Sequence, residues 1–111
     1  DYPNYNTWVE KCKEELIKYE QISIIKKRKD DALVATAGMV EEIKKILTKK
    51  GEPMLFLKLS DLNDSIETVI FPRMLISCSH LLQMGNCIII KGRLSFRKNN
   101  PSIIVNEIKK L

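Results

Sequence analysis

An aromatic and a cationic side chain, Phe56 and Lys58, lie two residues apart in this sequence. Residues two apart in a β-strand project from one face, and the alternate positions here, Leu55, Leu57 and Leu59, are apolar. A ring on a solvated strand face can stack on a nucleic-acid base, and an ammonium group beside it can neutralise a phosphate. The alternative is that Phe56 packs beneath a helix or a neighbouring domain.

A second alternation occurs in the segment from residue 87 to 97, where Lys91, Arg93 and Arg97 share one face. Three cations at alternate positions could follow a phosphate backbone. They could equally protect an exposed edge strand, because charged side chains on such an edge block pairing with other chains. The basic loop around Lys49 and Lys50 adds two cations at a flexible tip.

The sequence contains no set of residues that predicts catalysis or a bound cofactor. His80 is the only histidine, and it lies two residues from Cys78 in a predicted helix, where residues two apart face different directions. Four ligands of a structural zinc site cannot be assembled around this pair. Asp61 and Asp64 flank a predicted turn, so we interpret them as turn-forming residues rather than metal ligands.

Length and composition predict one globular domain with a basic surface. The chain has 111 residues, 44% hydrophobic and 30% charged, with a formal net charge of +5. The charge favours a polyanionic partner, although a solvated lysine-rich surface fits as well. Three cysteines, with no apolar run of membrane-spanning length, favour a reducing cytoplasm and no membrane partner. Because the first residue is Asp1, we expect a fragment of a longer protein.

The segment before residue 32 differs from the rest of the chain. Apolar positions at intervals of three and four predict a helix over residues 4 to 20. The charged run from 26 to 31 reads as a solvated linker, although its cations could also contact phosphate. We therefore predict a helical segment and linker over 1–31, which could belong to the domain that follows or to a preceding one, and a domain over 32–111.

Residues 32 to 111 predict five strands with one helix between the third and the fourth. The first is a long strand bent near Gly38, although a helix also fits the spacing from Val40 to Leu47. The others span 54–61, 66–71, 87–97 and 102–108, and the helix spans 74–84. This order predicts a mainly β protein with the five-stranded Greek-key barrel of the OB-fold, which binds single strands across its second and third strands.

Several runs of sequence resemble the barrel domain near the carboxyl end of the bacterial replicative DNA polymerase III alpha subunit. They are TKKGEPM from Thr48, SIETVIFP from Ser65 and IKGRLS from Ile90, in the family's order and spacing. A weaker likeness exists to the anticodon-binding barrels of class II aminoacyl-tRNA synthetases, which lack the Phe-Pro pair after the third strand.

The resemblance implies a non-catalytic module that contacts single-stranded template DNA, in a parent chain that is a DNA-directed DNA polymerase whose catalytic carboxylates lie elsewhere. Its partners would be single-stranded DNA, the other domains of the alpha subunit and other replisome subunits. We expect Phe56 to stack on a base while the remaining site residues surround one groove. The alternatives are a protein-interaction barrel and a transfer-RNA-binding barrel. The expected cations are Lys58, Lys91, Arg93 and Arg97 along the groove, with Lys49 and Lys50 closing over it.

Overall fold

Five β-strands close into a barrel in the computed structural model, which describes residues 14, 15, 17–61, 63–97 and 99–111. The order around the barrel is β1-β2-β3-β5-β4, and all neighbouring pairs are antiparallel except β3 and β5. One helix lies between β3 and β4, which confirms the predicted OB-fold. The elements are α1 (Ile22–Ile25), β1 (Leu33–Leu47), β2 (Pro53–Ser60), β3 (Ser65–Ile70), α2 (Pro72–Cys78), a 3-10 helix (Ser79–Leu81), β4 (Cys87–Arg97) and β5 (Asn100–Lys110).

The long strand β1 belongs to both sides of the barrel. Its first half, up to Met39, pairs with β4, and its second half pairs with β2. The register shifts between Val40 and Glu42, which marks a bulge, and bulges bend a strand. A Cβ atom on Gly38 would lie 2.7 Å from the Ser60 carbonyl oxygen, so glycine allows the strands to approach here. The ambiguity over residues 40–47 is thus resolved as strand.

The alternation predicted for β2 and β4 sorts their side chains between core and solvent. Leu57 and Leu59 are fully buried, whereas Lys58 between them is exposed. In β4, Leu94 is fully buried and its neighbour Arg93 is exposed. Burial of each such side chain contributes about 1.5–3 kcal/mol to folding. The core that results is rich in isoleucine: Ile66, Ile70, Ile88, Ile90, Ile103 and Ile108 are all buried.

A short helix that the sequence analysis missed closes one part of the core. Both Ile22 and Ile25 of α1 are fully buried and pack in the same cluster as the barrel side chains. The Ile22 amide donates a 2.7 Å hydrogen bond to Oδ2 of Asp61 in the β2–β3 turn. Four residues are too few to show a helical period, so the sequence pattern did not predict this helix. The helix predicted over 4–20 lies mostly outside the described residues.

The segment that follows α1 is also tied to the barrel. The Asp31 amide donates to the Leu94 carbonyl at 2.8 Å, and Asp30 Oδ1 accepts from the Phe96 amide at 2.9 Å. Both contacts reach β4, more than sixty residues further along the chain. The boundary at residue 31 stays a prediction, and the contacts place residues 22–31 against the barrel.

The connection between β3 and β4 begins with a helix that is shorter than predicted. Pro72 occupies the first turn of α2, where a missing amide hydrogen has no cost. The helix ends at Cys78, and the 3-10 helix Ser79–Leu81 continues it towards the buried Leu82. No helix among the described residues has the length and apolar character of a membrane span.

Candidate nucleic-acid interface

A cleft of about 400 Å³ opens on the outer face of the barrel. Its floor is formed by the second half of β1 together with β2 and β3, and the β4–β5 hairpin borders one side. Lys26, the residue that follows α1, contributes one further side chain. The remaining lining residues are Glu42, Ile43, Lys44, Phe56, Leu57, Lys58, Ser65, Ile66, Glu67, Asn100 and Pro101.

Strand register arranges the outward side chains of this floor in two rows. In the first, Phe56 lies opposite Lys44 on β1 and opposite Val69 on β3, which is buried and does not line the cleft; we call this the stacking row. In the second, Lys58 lies opposite Glu42 and Glu67, and we call this the polar row. Neighbouring strands are about 4.8 Å apart, so the members of each row are direct neighbours.

The polar row carries charges that are near one another without being closely paired. Glu42, Lys58 and Glu67 are all exposed. Within the described part of the chain, none of the three has an ion-pair partner within 4.0 Å. Two carboxylates beside one ammonium group leave little positive potential over this part of the floor. The positive charge of Lys58, which the sequence suggested would face a phosphate, therefore lies between two carboxylates.

An ion pair joins α1 to the β2–β3 turn at the edge of the cleft. Lys26 Nζ lies 2.9 Å from Asp64 Oδ1, which also accepts the Ser65 amide at 2.8 Å. The Lys26 hydrogen bond, and after it the Ser65 amide, lower the pKa of Asp64 below its usual value of 3.8. The pair holds the lysine over the cleft at a fixed place.

The lowered pKa of Asp64 predicts how the stability of the protein depends on acid. A carboxyl group with a lowered pKa in the folded state stabilises the fold above its unfolded value and loses that effect as the pH falls through the lowered value. We expect Asp64→Asn to lower the thermal midpoint at neutral pH. The difference from the wild type should begin to shrink as the pH falls below about 3.8 and should vanish below the lowered pKa, where folded Asp64 is also protonated. Melting curves from neutral to strongly acidic pH measure this, and a constant difference would contradict it.

The structure brings Phe56 and Lys58 together in the cleft, whereas the predicted residues Lys49, Lys50 and Arg97 are not among those that line it. Lys49 and Lys50 are exposed at the tip of the β1–β2 loop. The hydrogen bond from the Gly51 amide to the Thr48 carbonyl, 2.9 Å long, closes that turn. Arg97 is exposed at the end of β4, opposite Asn100, which borders the cleft.

The single groove expected from the sequence is not formed, because Lys91 and Arg93 lie on a different part of the barrel. They face the first half of β1, opposite Ala35 and Leu33, whereas the cleft uses the second half. The reason is the bend in β1, which turns its first half towards β4 and its second half towards β2. The alternation of side chains in β4 does not indicate this bend. The binding roles of Lys91 and Arg93 stay predictions.

Both of these cations have acidic partners in the chain itself. Lys91 Nζ lies 3.7 Å from Glu107 Oε2, and Arg93 Nε lies 3.1 Å from Asp31 Oδ1. Both pairs are about half exposed on the lysine and arginine side, so each contributes little to stability. Their effect here is to reduce the positive potential of the β4 stripe, the row that Lys91, Arg93 and Arg97 form on the outer face of β4.

Sequence reasoning missed Lys26, Lys44, Glu42 and Glu67 as lining residues. Lys44 and Glu42 would have been found if β1 had been assigned a register against β2, because they lie opposite Phe56 and Lys58. No sequence pattern could have identified Lys26 as a lining residue, since only the packing of α1 against the barrel brings it to the cleft. Among the described residues, no group of three acidic, histidine or cysteine side chains could hold a metal ion.

Comparison with known proteins agrees with this architecture. The chain is 34% identical over 71 residues to the DNA polymerase III subunit alpha of Staphylococcus aureus, a match that covers 64% of this chain and 7% of that protein. The chain thus spans under a tenth of the length of the curated relatives that it matches.

Solved structures show the same fold in two different settings. The small single-stranded DNA-binding protein from Streptomyces coelicolor superposes with a TM-score of 0.61 at 16% identity, covering 76% of this chain and 96% of that one. Entamoeba histolytica asparaginyl-tRNA synthetase superposes with a TM-score of 0.62 at 22% identity, covering 77% of this chain and 22% of that one. Residues 34–111 match the tRNA anti-codon family model, described as an OB-fold nucleic acid binding domain. Since that match extends from the start of β1 to the end of the chain, this protein belongs to the family of OB-fold nucleic-acid-binding domains.

Proposed function

We propose that this barrel is a single-strand-binding module of a DNA polymerase III alpha subunit. The observation that carries the proposal is Phe56, an aromatic side chain that lines an open cleft on the outer face of β2. The similarity to the polymerase subunits supports DNA as the ligand. The module itself is non-catalytic, and the parent chain is a DNA-directed DNA polymerase whose other domains and replisome subunits are its neighbours.

The stacking row explains how a base would be held. A base stacks on the Phe56 ring, and every base has a face suited to this contact. Lys44, directly opposite on β1, lies beside the ring and meets the phosphate of the same nucleotide. Binding of this kind depends little on sequence, because neither contact involves a base edge.

Cations around the cleft define the path of the strand. Lys26 stands at the edge near the β2–β3 turn, and Lys44 stands on the opposite strand of the floor. The loop with Lys49 and Lys50 and the hairpin with Arg97 extend this path at its two ends. A short strand in the cleft therefore meets few cations, and a longer one meets more.

The salt dependence of binding tests this arrangement. Each phosphate neutralised on a single strand contributes about −0.7 to the slope of log K against log salt. With Lys26 and Lys44 as the phosphate contacts in the cleft, we expect a slope of about −1.4 for a short oligothymidine. Fluorescence anisotropy between about 50 and 200 mM KCl measures it.

Two matched variants separate the cleft from the β4 stripe. Lys44→Ala should make the slope shallower by about 0.7, because one phosphate contact is lost. Lys91→Ala should leave the slope unchanged, since Lys91 faces the first half of β1 and lies near Glu107. The opposite result would move the binding site to the outer face of β4. A failure of the chain to bind single strands at all would refute the proposal.

Transfer RNA is a second candidate ligand, which the tRNA anti-codon family match favours. The barrel superposes on part of an asparaginyl-tRNA synthetase, so the architecture suits either nucleic acid. Deoxyribose and ribose strands of one sequence distinguish them, because only RNA offers 2′-hydroxyl groups. Tighter binding of the DNA strand is expected, and a clear preference for RNA would favour the second candidate.

A third function, bracing other domains of the parent polymerase, is favoured by exposed apolar side chains beside α2. Ile76 is 87% exposed and Met84 is 63% exposed. Covering such side chains with another protein surface would remove apolar area from water and so stabilise the contact. If Ile76→Ser lowered polymerase activity of the parent chain without changing oligonucleotide binding by this barrel, bracing would be supported alongside DNA binding.

A further inference from the structure

The polar row offers hydrogen-bonding groups that the stacking and phosphate contacts do not use. Lys58 provides donors, and Glu42 and Glu67 provide acceptors on either side of it. All three are exposed and line the cleft. Each of them lies two residues along its strand from the stacking row, a distance of about 6.7 Å. A base that stacks on Phe56 therefore presents an edge towards them.

We propose that the polar row reads the Watson–Crick edge of a guanine held on Phe56, with Glu67 and Lys58 as the reading pair. This inference rests on the proposed function. It goes further because it predicts a preferred base at one position of an otherwise sequence-tolerant cleft.

Guanine is the base whose edge matches this pair of charges. Its Watson–Crick edge carries one acceptor, O6, beside two adjacent donors, N1–H and the N2 amino group. A carboxylate accepts two such parallel donors at once, as it does from arginine. Lys58 then donates to O6 from the neighbouring strand, about 4.8 Å away. Hydrogen bonds to a carboxylate or from an ammonium group are stronger than hydrogen bonds between neutral groups, which favours both contacts.

The other bases satisfy this pair less well. Thymine has a single ring N–H between two carbonyl groups, so the carboxylate accepts one hydrogen bond instead of two. Adenine and cytosine each have one amino group next to a ring acceptor, which would face the second carboxylate oxygen. An acceptor held against a carboxylate without a proton between them is destabilising.

Glu67 is the better placed of the two carboxylates. Its strand, β3, also pairs with β5 at Ser102, next to the cleft residues Asn100 and Pro101. A base edge between Lys58 and Glu67 is therefore bordered by the hairpin, which shields it from water. Glu42 lies on the other side of Lys58, directly opposite it on β1.

The test compares the binding of short oligothymidines in which the central base is replaced by another base. Only one guanine is used per strand, because strands with several guanines associate with one another. We expect the guanine strand to bind at least about fivefold more tightly than the all-thymine strand. A hypoxanthine strand, which lacks only the N2 amino group, should lose part of that preference. Glu67→Gln should reduce the guanine preference, taken as the ratio of the two affinities measured on that variant, to under about twofold.

A matched control and three outcomes make the test decisive. Glu107→Gln on β5 removes a carboxylate near Lys91, away from the cleft, and should keep the preference. Equal affinities for the guanine and thymine strands in the wild type would overturn this inference alone. A preference that survives in Glu67→Gln would also overturn it. No binding to any strand would overturn the proposed function and this inference with it.

Discussion

Gly92→Ala is expected to destabilise the fold by about 3 kcal/mol, because β5 occupies the space that a side chain would need. A Cβ atom there would overlap the Ile104 carbonyl oxygen and lie 2.9 Å from Ile103 Cγ2. The Ile104 atom belongs to the backbone, so it cannot move aside as a flexible side chain would. The register shift between Lys91 and Gly92 is where the β4–β5 ladder makes this close approach.

Thermal unfolding measures this effect as a fall in the midpoint of about 10–20 °C. Gly51→Ala is the matched control. A Cβ atom on Gly51 would meet nothing within 4 Å, but its φ of +79° suits glycine, so we expect a cost of about 1 kcal/mol. If Gly92→Ala lost no more stability than Gly51→Ala, steric exclusion by β5 would be contradicted.

Phe56→Ala is expected to weaken binding of single-stranded DNA by about 1–3 kcal/mol, or about 5- to 150-fold. The loss arises because the ring is the one aromatic surface in the cleft, among the residues that the structure describes. Phe56 is not among the side chains that pack on the buried core, so stability should change little. Titration of a labelled oligonucleotide followed by anisotropy gives the ratio of affinities.

Phe71→Ala is the control for this change. Phe71 is 44% exposed and follows β3 outside the cleft, so its removal deletes an aromatic ring of the same size from another surface. Its affinity should stay within about twofold of the wild type. If Phe56→Ala bound as tightly as Phe71→Ala, stacking on the β2 face would be excluded as the source of affinity.

The barrel could be predicted because its strands follow simple local rules. Leu57 and Leu59 of β2, like Leu94 and Phe96 of β4, alternate with polar side chains, and Pro72 marks the end of β3. The order of five strands and a helix then left few topologies to consider. The resemblance to the polymerase barrel pointed to the same fold independently.

The composition of the cleft could be predicted only in part, because it depends on which strands face one another. Alternation assigns Lys58 and Lys91 to outer faces, but it does not show that the bend in β1 separates those faces. The neutralising carboxylates of the polar row became apparent only from the register. The helix α1 is too short to leave a periodic signal, so Lys26 was read as part of a charged linker.

The contacts of α1 also determine where this protein can be divided. A piece that began at β1 would match the family model almost completely, yet it would lack Ile22 and Ile25. It would expose the core beneath them, and the Asp61 carboxylate would lose its bond to the Ile22 amide. The smallest autonomous unit is therefore larger than the barrel that the family model matches, and truncation at residue 32 would yield an aggregation-prone fragment.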